Sequence, residues 1–281
     1  MINCAQILAW SAWAPGLADQ AAWLAALRTH GADFGLLSSE YAPLNAAEPK
    51  APAVLAPPML RRRLSPLGRA AAEAAAPLLA AAEDKNLPWV YASRWGDLQL
   101  AVDSLESVAA GGTVSPAAFS TSVHNAPPAL LSIALGHTGN LTALAGGPFS
   151  LEAAFESAVG LLFEAPQVLL ICADLKPPVQ TNAAGVTHAV GLLLGRQHET
   201  ADPDQWREAC AKGPYAALTT RPLSASETPD NRLDTLGGSS PALEVLAWLL
   251  GSDDRTFTHF DRHAANIWAK TSRLEAETRH P

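Results

Sequence analysis

The sequence predicts an α/β fold, with helices covering both faces of a β-sheet. Three observations predict it. Strand-like and helix-like segments alternate along the chain. The runs "QVLLICAD" (167–174) and "THAVGLLLG" (187–195) are strongly strand-like, and the first is apolar on consecutive residues, as a strand covered on both faces must be. Of the 281 residues, 48% are hydrophobic and 16% charged, enough apolar material for a sizeable core.

Each element follows from local pattern. Residues 2–10 alternate loosely and read as a first strand. Asp19 can cap a helix through "QAAWLAALRTH", where Trp23, Leu24 and Leu27 fall at helical spacing. Five prolines within 40–58 mark an exposed loop. Ser65 as N-cap and Pro66 at the first helical position open the next helix, which Pro77 should kink or end. "LPWVYAS" (87–93) is an apolar run bounded by polar residues and reads as a buried strand. The helix in "GDLQLAVDSLESVAAGG" closes on Gly111 and Gly112. Ser115-Pro116 opens another helical stretch, and 122–136 is a helix with prolines near its start. A strand over 141–145, a Gly-Gly-Pro turn and a helix over 150–163 follow. Beyond residue 196 the pattern weakens, with strands at 215–221, 255–260 and 266–272 and a helix at 241–250.

Composition narrows the function classes. No apolar run of about 18 residues stands clear of polar ones, so no membrane span is expected. "MINCAQILAWSAWAPG" lacks a basic leader and a small-residue cleavage site, which argues against a signal peptide. Cys4, Cys172 and Cys210 cannot make a disulfide framework and read as small buried or semi-buried residues in a reducing cytoplasm. A net charge of −8 argues against nucleic acid as a partner. The eight tryptophans show no cofactor pattern, and no cofactor is expected.

The run "FSTSVHNAPPALLSIALG" (119–136) resembles the N-terminal half of the β-ketoacyl synthases, the condensing enzymes of fatty-acid and polyketide synthesis. The likeness continues through the strand, turn and helix that follow and through "VLLICAD" and "AVGLLLG", and "YASRWGDL" (91–98) fits the preceding segment. It covers roughly residues 1–200 of a single domain and leaves 201–281 as a weakly defined C-terminal extension. The chain is most similar to short chain-length factors found beside full synthases in aryl-polyene-type clusters. That resemblance implies half of a thiolase-like fold with a mostly mixed sheet. It also implies a heterodimer with a β-ketoacyl-ACP synthase subunit, and an acyl carrier protein met through the complex.

In such synthases a cysteine at the strand-to-helix turn takes the acyl chain. Counting forward from Asn125 places that position on Pro148, and counting back from "VLLICAD" places it on Gly147. Neither residue can attack. The second half, which supplies two catalytic histidines, has no room in 281 residues. The resemblance therefore implies a non-catalytic, cytoplasmic subunit with no activity alone, shaping its partner's acyl tunnel. On "SPAAFSTS", Ala117 and Ala118 would leave length for the chain and Phe119 could set its floor. Leu141 and Leu144 sit on a strand that in such dimers pairs across the two-fold axis.

Several residues carry two readings. Ser150 is an N-cap, or a substitute nucleophile with His188 and Asp174. The second version makes the chain an independent acyl-thioester hydrolase or acyltransferase. A third possibility is a homodimer that binds acyl chains or carrier protein. His124 and Asn125 are a local cap of the 126–135 helix or a polar pair near the interface. His259 and His263 have metal-ligand spacing, but their segment reads as strand or turn with no third ligand, so no metal is expected. Arg61–Arg63 are a solvated run or a docking site for an acidic carrier protein. Cys172 lies on a buried strand, shielded rather than activated. The apolar helices 122–135 and 150–163 would face water without a partner, and 200–281 covers part of them.

Overall fold

The computed structural model describes residues 3–30, 50–183, 185–196, 215–224, 227, 240–260, 264–272 and 274. Its strands are β1 (Asn3–Trp13), β2 (Trp89–Ala92), β3 (Leu141–Leu144), β4 (Gln167–Asp174), β5 (His188–Gly195), β6 (Tyr215–Pro222), β7 (Thr256–Phe260) and β8 (Ala264–Lys270). They form one mixed sheet in the order β3-β2-β4-β5-β1-β6-β8-β7. β2 runs parallel to β3 and to β4, and the remaining pairings are antiparallel. The helices are α1 (Gln20–His30), α2 (Pro58–Arg61), α3 (Pro66–Ala81), α4 (Leu98–Ala109), α5 (Pro116–Thr121), α6 (Ala126–Leu135), α7 (Ser150–Leu161) and α8 (Pro241–Gly251).

Two apolar clusters sandwich the sheet. Every residue of β4 is buried. Val168, Leu170 and Cys172 face one cluster with α1, α7 and α8, while Leu169, Ile171 and Ala173 face the other with α3. This is the period-two alternation of a strand covered on both sides. The α3 side is built for close approach. At Gly191 of β5 a Cβ would stand 2.7 Å from Leu78 Cδ1 and 3.0 Å from the Ala74 carbonyl. Alanines 70–72, 74 and 75 complete that thin layer.

The local signals mostly place the ends of elements. The Asp19 Oδ1 accepts from Ala22 N at 2.8 Å, and the Ser65 Oγ from Gly68 N at 3.3 Å. Gly111 (φ +77°) closes α4, with Gly112 N donating to the Ser107 carbonyl at 2.8 Å. Three expectations change. Pro77 does not end α3, which runs on to Ala81. The proline lies on the exposed face, so the freed Glu73 carbonyl can take water while eight buried side chains hold the helix. Within 40–58 the described part, 50–58, is exposed at Pro52, Val54, Pro57 and Pro58 but anchored between them. Ala51, Ala53 and Ala56 are buried against α3, and the Ala53 amide donates to the Glu73 carboxylate. Cys4 is disulfide-bonded rather than reduced, and Cys172 is a buried free thiol.

The segment beyond residue 214 lengthens the sheet by β6, β8 and β7, and with α8 it covers α7. Leu151, Phe155 and Leu162 are buried, so the main apolar face of that helix is covered, while Phe163 just beyond it is 44% exposed. Phe155 meets the Trp268 ring edge-on at 4.9 Å. Among the described residues the opposite end of the sheet is the less covered one. β3 is the edge strand, α4 and α5 bury no residue, and α6 exposes Ile133.

Candidate functional site

β3 leads through Gly146 and a 3₁₀ turn, Gly147–Phe149, into α7. Gly147 has φ +59°, and a Cβ there would meet nothing within 4 Å. Proline is held near φ −65°. Of the two counts for the turn position, only Gly147 has the left-handed backbone that glycine favours. Ser150 is not the N-cap. Its Oγ accepts from Gly146 N at 3.1 Å and donates to the Gly147 carbonyl at 2.8 Å, and the cap position belongs to Phe149. The hydroxyl ties the turn together and is occupied.

Beneath the turn lies a pocket lined by Arg94, Trp95, Gly147, Ser150, Cys172, Asp174, His188 and Ser240, among others. Asp174 and His188 are register partners across β4 and β5. The Asp174 Oδ1 accepts from Ser93 Oγ at 2.8 Å and Trp95 N at 3.1 Å. Burial raises its carboxyl above the ordinary range, and the nearby His188 partly offsets this. Burial lowers His188 against the pull of Asp174, so the ring is neutral near pH 7. Its Nδ1 faces the Val186 carbonyl at 2.9 Å and its Nε2 the Ser240 Oγ at 2.9 Å. The structure thus joins His188 to Ser240, not to Ser150. Burial raises the Cys172 thiol well above its usual range, so it stays protonated and unreactive. At the mouth, the Arg94 guanidinium stands 4.4 Å over the Trp95 ring.

The second polar cluster is buried between α7, α8 and β7. His259 Nδ1 lies 2.7 Å from Glu152 Oε1, and Nε2 lies 3.1 Å from Glu244 Oε2. Both nitrogens face carboxylates, so both donate and the ring is a cation. Burial pulls the imidazole down, but the hydrogen bonds and charges of Glu152 and Glu244 outweigh it and raise it to about 9. Trp268 Nε1 also donates to Glu152 Oε1, at 3.1 Å. His263 lies outside the described residues, and no group of three metal-ligating side chains occurs among those described.

The residues expected at an interface sit on the less covered end. Ala117 and Phe119 of α5 are exposed and Ala118 is half-buried. Leu141 and Leu144 are half-buried on the β3 edge. Asn125 is exposed and makes no side-chain cap. The His124 ring lies against Gly96, and its buried Nε2 has no partner among the described residues. Arg61 is not a free cation. It holds the 50–58 loop through the carbonyls of Ala56 (2.9 Å) and Val54 (3.4 Å), while Arg62 and Arg63 are exposed.

Sequence reading missed Ser240, Glu152 and Glu244. Ser240-Pro241 signals a helix start, and Glu152 reads as an ordinary acid in a first turn. Their partners lie 52, 107 and 15 residues away, beyond any local pattern.

A family model described as "Beta-ketoacyl synthase, N-terminal domain" matches residues 37–268. No curated protein matches the sequence. Among solved structures, a ketosynthase (ApeO) in complex with its chain length factor (ApeC) from Xenorhabdus doucetiae superposes with a TM-score of 0.68 at 22% identity, covering 94% of this chain and 98% of that one. The ishigamide ketosynthase/chain length factor gives 0.56 at 11% identity, covering 96% and 100%. An oxazolomycin ketosynthase domain from Streptomyces albus JA3453 gives 0.51 at 13% identity, covering 82% of this chain but 50% of that one. The fold is the thiolase-like α/β arrangement that the resemblance implied. No helix among the described residues is long and apolar enough to cross a membrane.

Proposed function

The chain belongs to the β-ketoacyl synthase family through its N-terminal domain, and we propose that it serves as the chain-length-factor-like subunit of a two-chain condensing enzyme. It would pair with a β-ketoacyl-ACP synthase, in fatty-acid or polyketide synthesis of the aryl-polyene type. The partner would carry out the condensation, and carrier protein would be met through the complex. No cofactor is needed from this chain.

One observation carries the reading. Helices α4 and α5 bury no residue at all, yet Leu105 and Phe119 are 70% and 65% exposed. Ile133 of α6 is 65% exposed, and the β3 edge adjoins it. Amphipathic helices beside an open strand edge are a liability unless another chain covers them. The turn supports the division of labour. Gly147, in the place where the family resemblance puts a nucleophile, offers a helix N-terminus and no reactive atom.

Co-expression with a synthase subunit, read by size-exclusion chromatography, tests the pairing. A stable mixed complex is expected, and Ile133→Glu should abolish it. As Ile133 is exposed, the lone chain should lose no more than about 0.5 kcal/mol. A chain that never leaves the monomer or homodimer peak overturns the reading. Within the complex, Ala118→Phe should shorten the products, because each methylene that no longer fits costs about 1–3 kcal/mol. The independent hydrolase built on Ser150 loses support, since that hydroxyl is spent inside the turn.

A further inference from the structure

We propose that Ser240 and His188 form a nucleophile–base pair that takes up the acyl group of a small thioester or ester at the pocket under the Gly147 turn. The two atoms are 2.9 Å apart and buried. The direction of their bond is fixed by the far side of the ring. Nδ1 lies 2.9 Å from the Val186 carbonyl, which can only accept, so Nδ1 carries the hydrogen. The Nε2 of the neutral ring is then the acceptor, and the Ser240 hydroxyl donates to it. A serine at the head of a helix ordinarily turns its oxygen to the helix's own amides. Ser240 precedes α8 and makes no such bond. Its hydroxyl is committed to the base instead.

The surroundings fit the same chemistry. Both residues line the pocket, together with Gly147 and Pro148 at the turn and Arg94 and Trp95 at its mouth. Pro241 and Ala242 of the α8 N-terminus line it as well, so the positive end of a helix dipole faces the place where negative charge would develop. Asp174, the cross-strand partner of His188, puts a carboxylate beside the imidazolium that forms. The free space is about 20 Å3, room for a single water, so an acyl carbonyl or a probe reaches Ser240 only by displacing that water and pushing lining side chains apart, which restricts it to a small one.

The step balances without another reagent than water. The Ser240 Oγ bonds to the carbonyl carbon while its proton passes to His188 Nε2. The carbon–sulfur bond then breaks, and the thiol leaves with that proton. Water attacks the serine ester with His188 again as base, which releases the carboxylic acid and restores Ser240. No carbon–carbon bond forms, so this activity is separate from condensation. The choice of a thioester as substrate rests on the function proposed above, whereas the pair itself does not.

The test treats the full chain with a small fluorophosphonate, followed by intact mass and peptide mapping. One adduct is expected on Ser240, absent in Ser240→Ala and formed about 10²-fold or more slowly in His188→Gln. Ser240→Ala leaves a buried ring nitrogen without its partner, so Ser240→Cys is run beside it. Iodoacetamide should alkylate the new thiol about tenfold or more faster with His188 present than in the His188→Gln background. No adduct at millimolar probe, an adduct on Ser150, or rates indifferent to His188 overturn the proposal. A chain that pairs with a synthase but is never labelled sinks the pair and leaves the subunit reading standing. A labelled chain that pairs with nothing does the reverse.

Discussion

His188 and His259 are buried to nearly the same depth, 1% and 4% exposed, and the fold holds them in opposite charge states. His188 meets a backbone carbonyl and a hydroxyl, with Asp174 across the strands; Asp174 and the Val186 carbonyl favour the charged ring, but desolvation outweighs them and the ring is neutral. His259 meets two carboxylates, and their hydrogen bonds and charges reverse the effect of burial. Burial sets the penalty on the charged form, and the partners decide whether it is met. The neutral ring can accept a proton, which suits a base. The charged ring clamps β7 to α7 and α8, which suits a staple for the C-terminal part of the sheet.

The largest effect should come from breaking the clamp. Glu152→Leu leaves His259 with Glu244 alone and strips Trp268 Nε1 of its acceptor. Removing one member of a buried ion pair costs about 3–5 kcal/mol. Urea unfolding should show a loss of that order. Glu152→Gln, which keeps an acceptor for both neighbours, should lose visibly less. Equal losses would mean that shape rather than charge holds the cluster, and the contrast with His188 would lapse.

The pH response should separate the two histidines more finely. In the folded chain His259 titrates at about 9, above the unfolded value of about 6.5. Its contribution is therefore fully present below about 6.5 and is lost as the pH rises through about 9. At about 1.4 kcal/mol per unit the whole is on the order of 3 kcal/mol. His188 is depressed when folded, so its effect runs the other way. Stability falls as the pH drops below about 6.5, where the unfolded ring takes a proton that the folded one refuses. Urea midpoints from about pH 5 to 10 should show two limbs. His259→Gln should flatten the alkaline limb and spare the acid one, while His188→Gln should do the opposite. One limb answering to both variants would contradict the separation.

The sheet and its order of helices were legible in the sequence because they are written in local periodicity. β4 and β5 announce themselves as unbroken apolar runs, and α1 and α3 carry their caps at Asp19 and Ser65. Pro77 misled because a proline's effect depends on which face of the helix it occupies, and that face is set by packing. The two polar clusters were only half legible. Asp174 and His188 were matched, but a serine four residues past Gly146 looked a better partner than one 52 residues beyond the histidine. The clamp was hidden for the same reason. His259 was visible as one half of a metal-ligand spacing with His263, but the two carboxylates that charge it come from helices 107 and 15 residues away in sequence.

The smallest effect belongs to the turn above His188. At Gly147 a side chain would find open space but an unfavourable backbone, so the penalty for Gly147→Ala is conformational alone. A non-glycine residue in the left-handed region costs about 1–2 kcal/mol. Asparagine tolerates that region better, so Gly147→Asn should lose less than Gly147→Ala in the same urea assay. Both limbs of the pH curve should keep their shape, since nothing at the turn titrates. A loss from alanine well beyond this range would mean that the pocket closes on residue 147 and that the open space is filled in solution. A loss within it leaves the turn as a backbone device: a glycine holds the shape that leads from β3 into α7, and the titrating chemistry lies below, on β4 and β5.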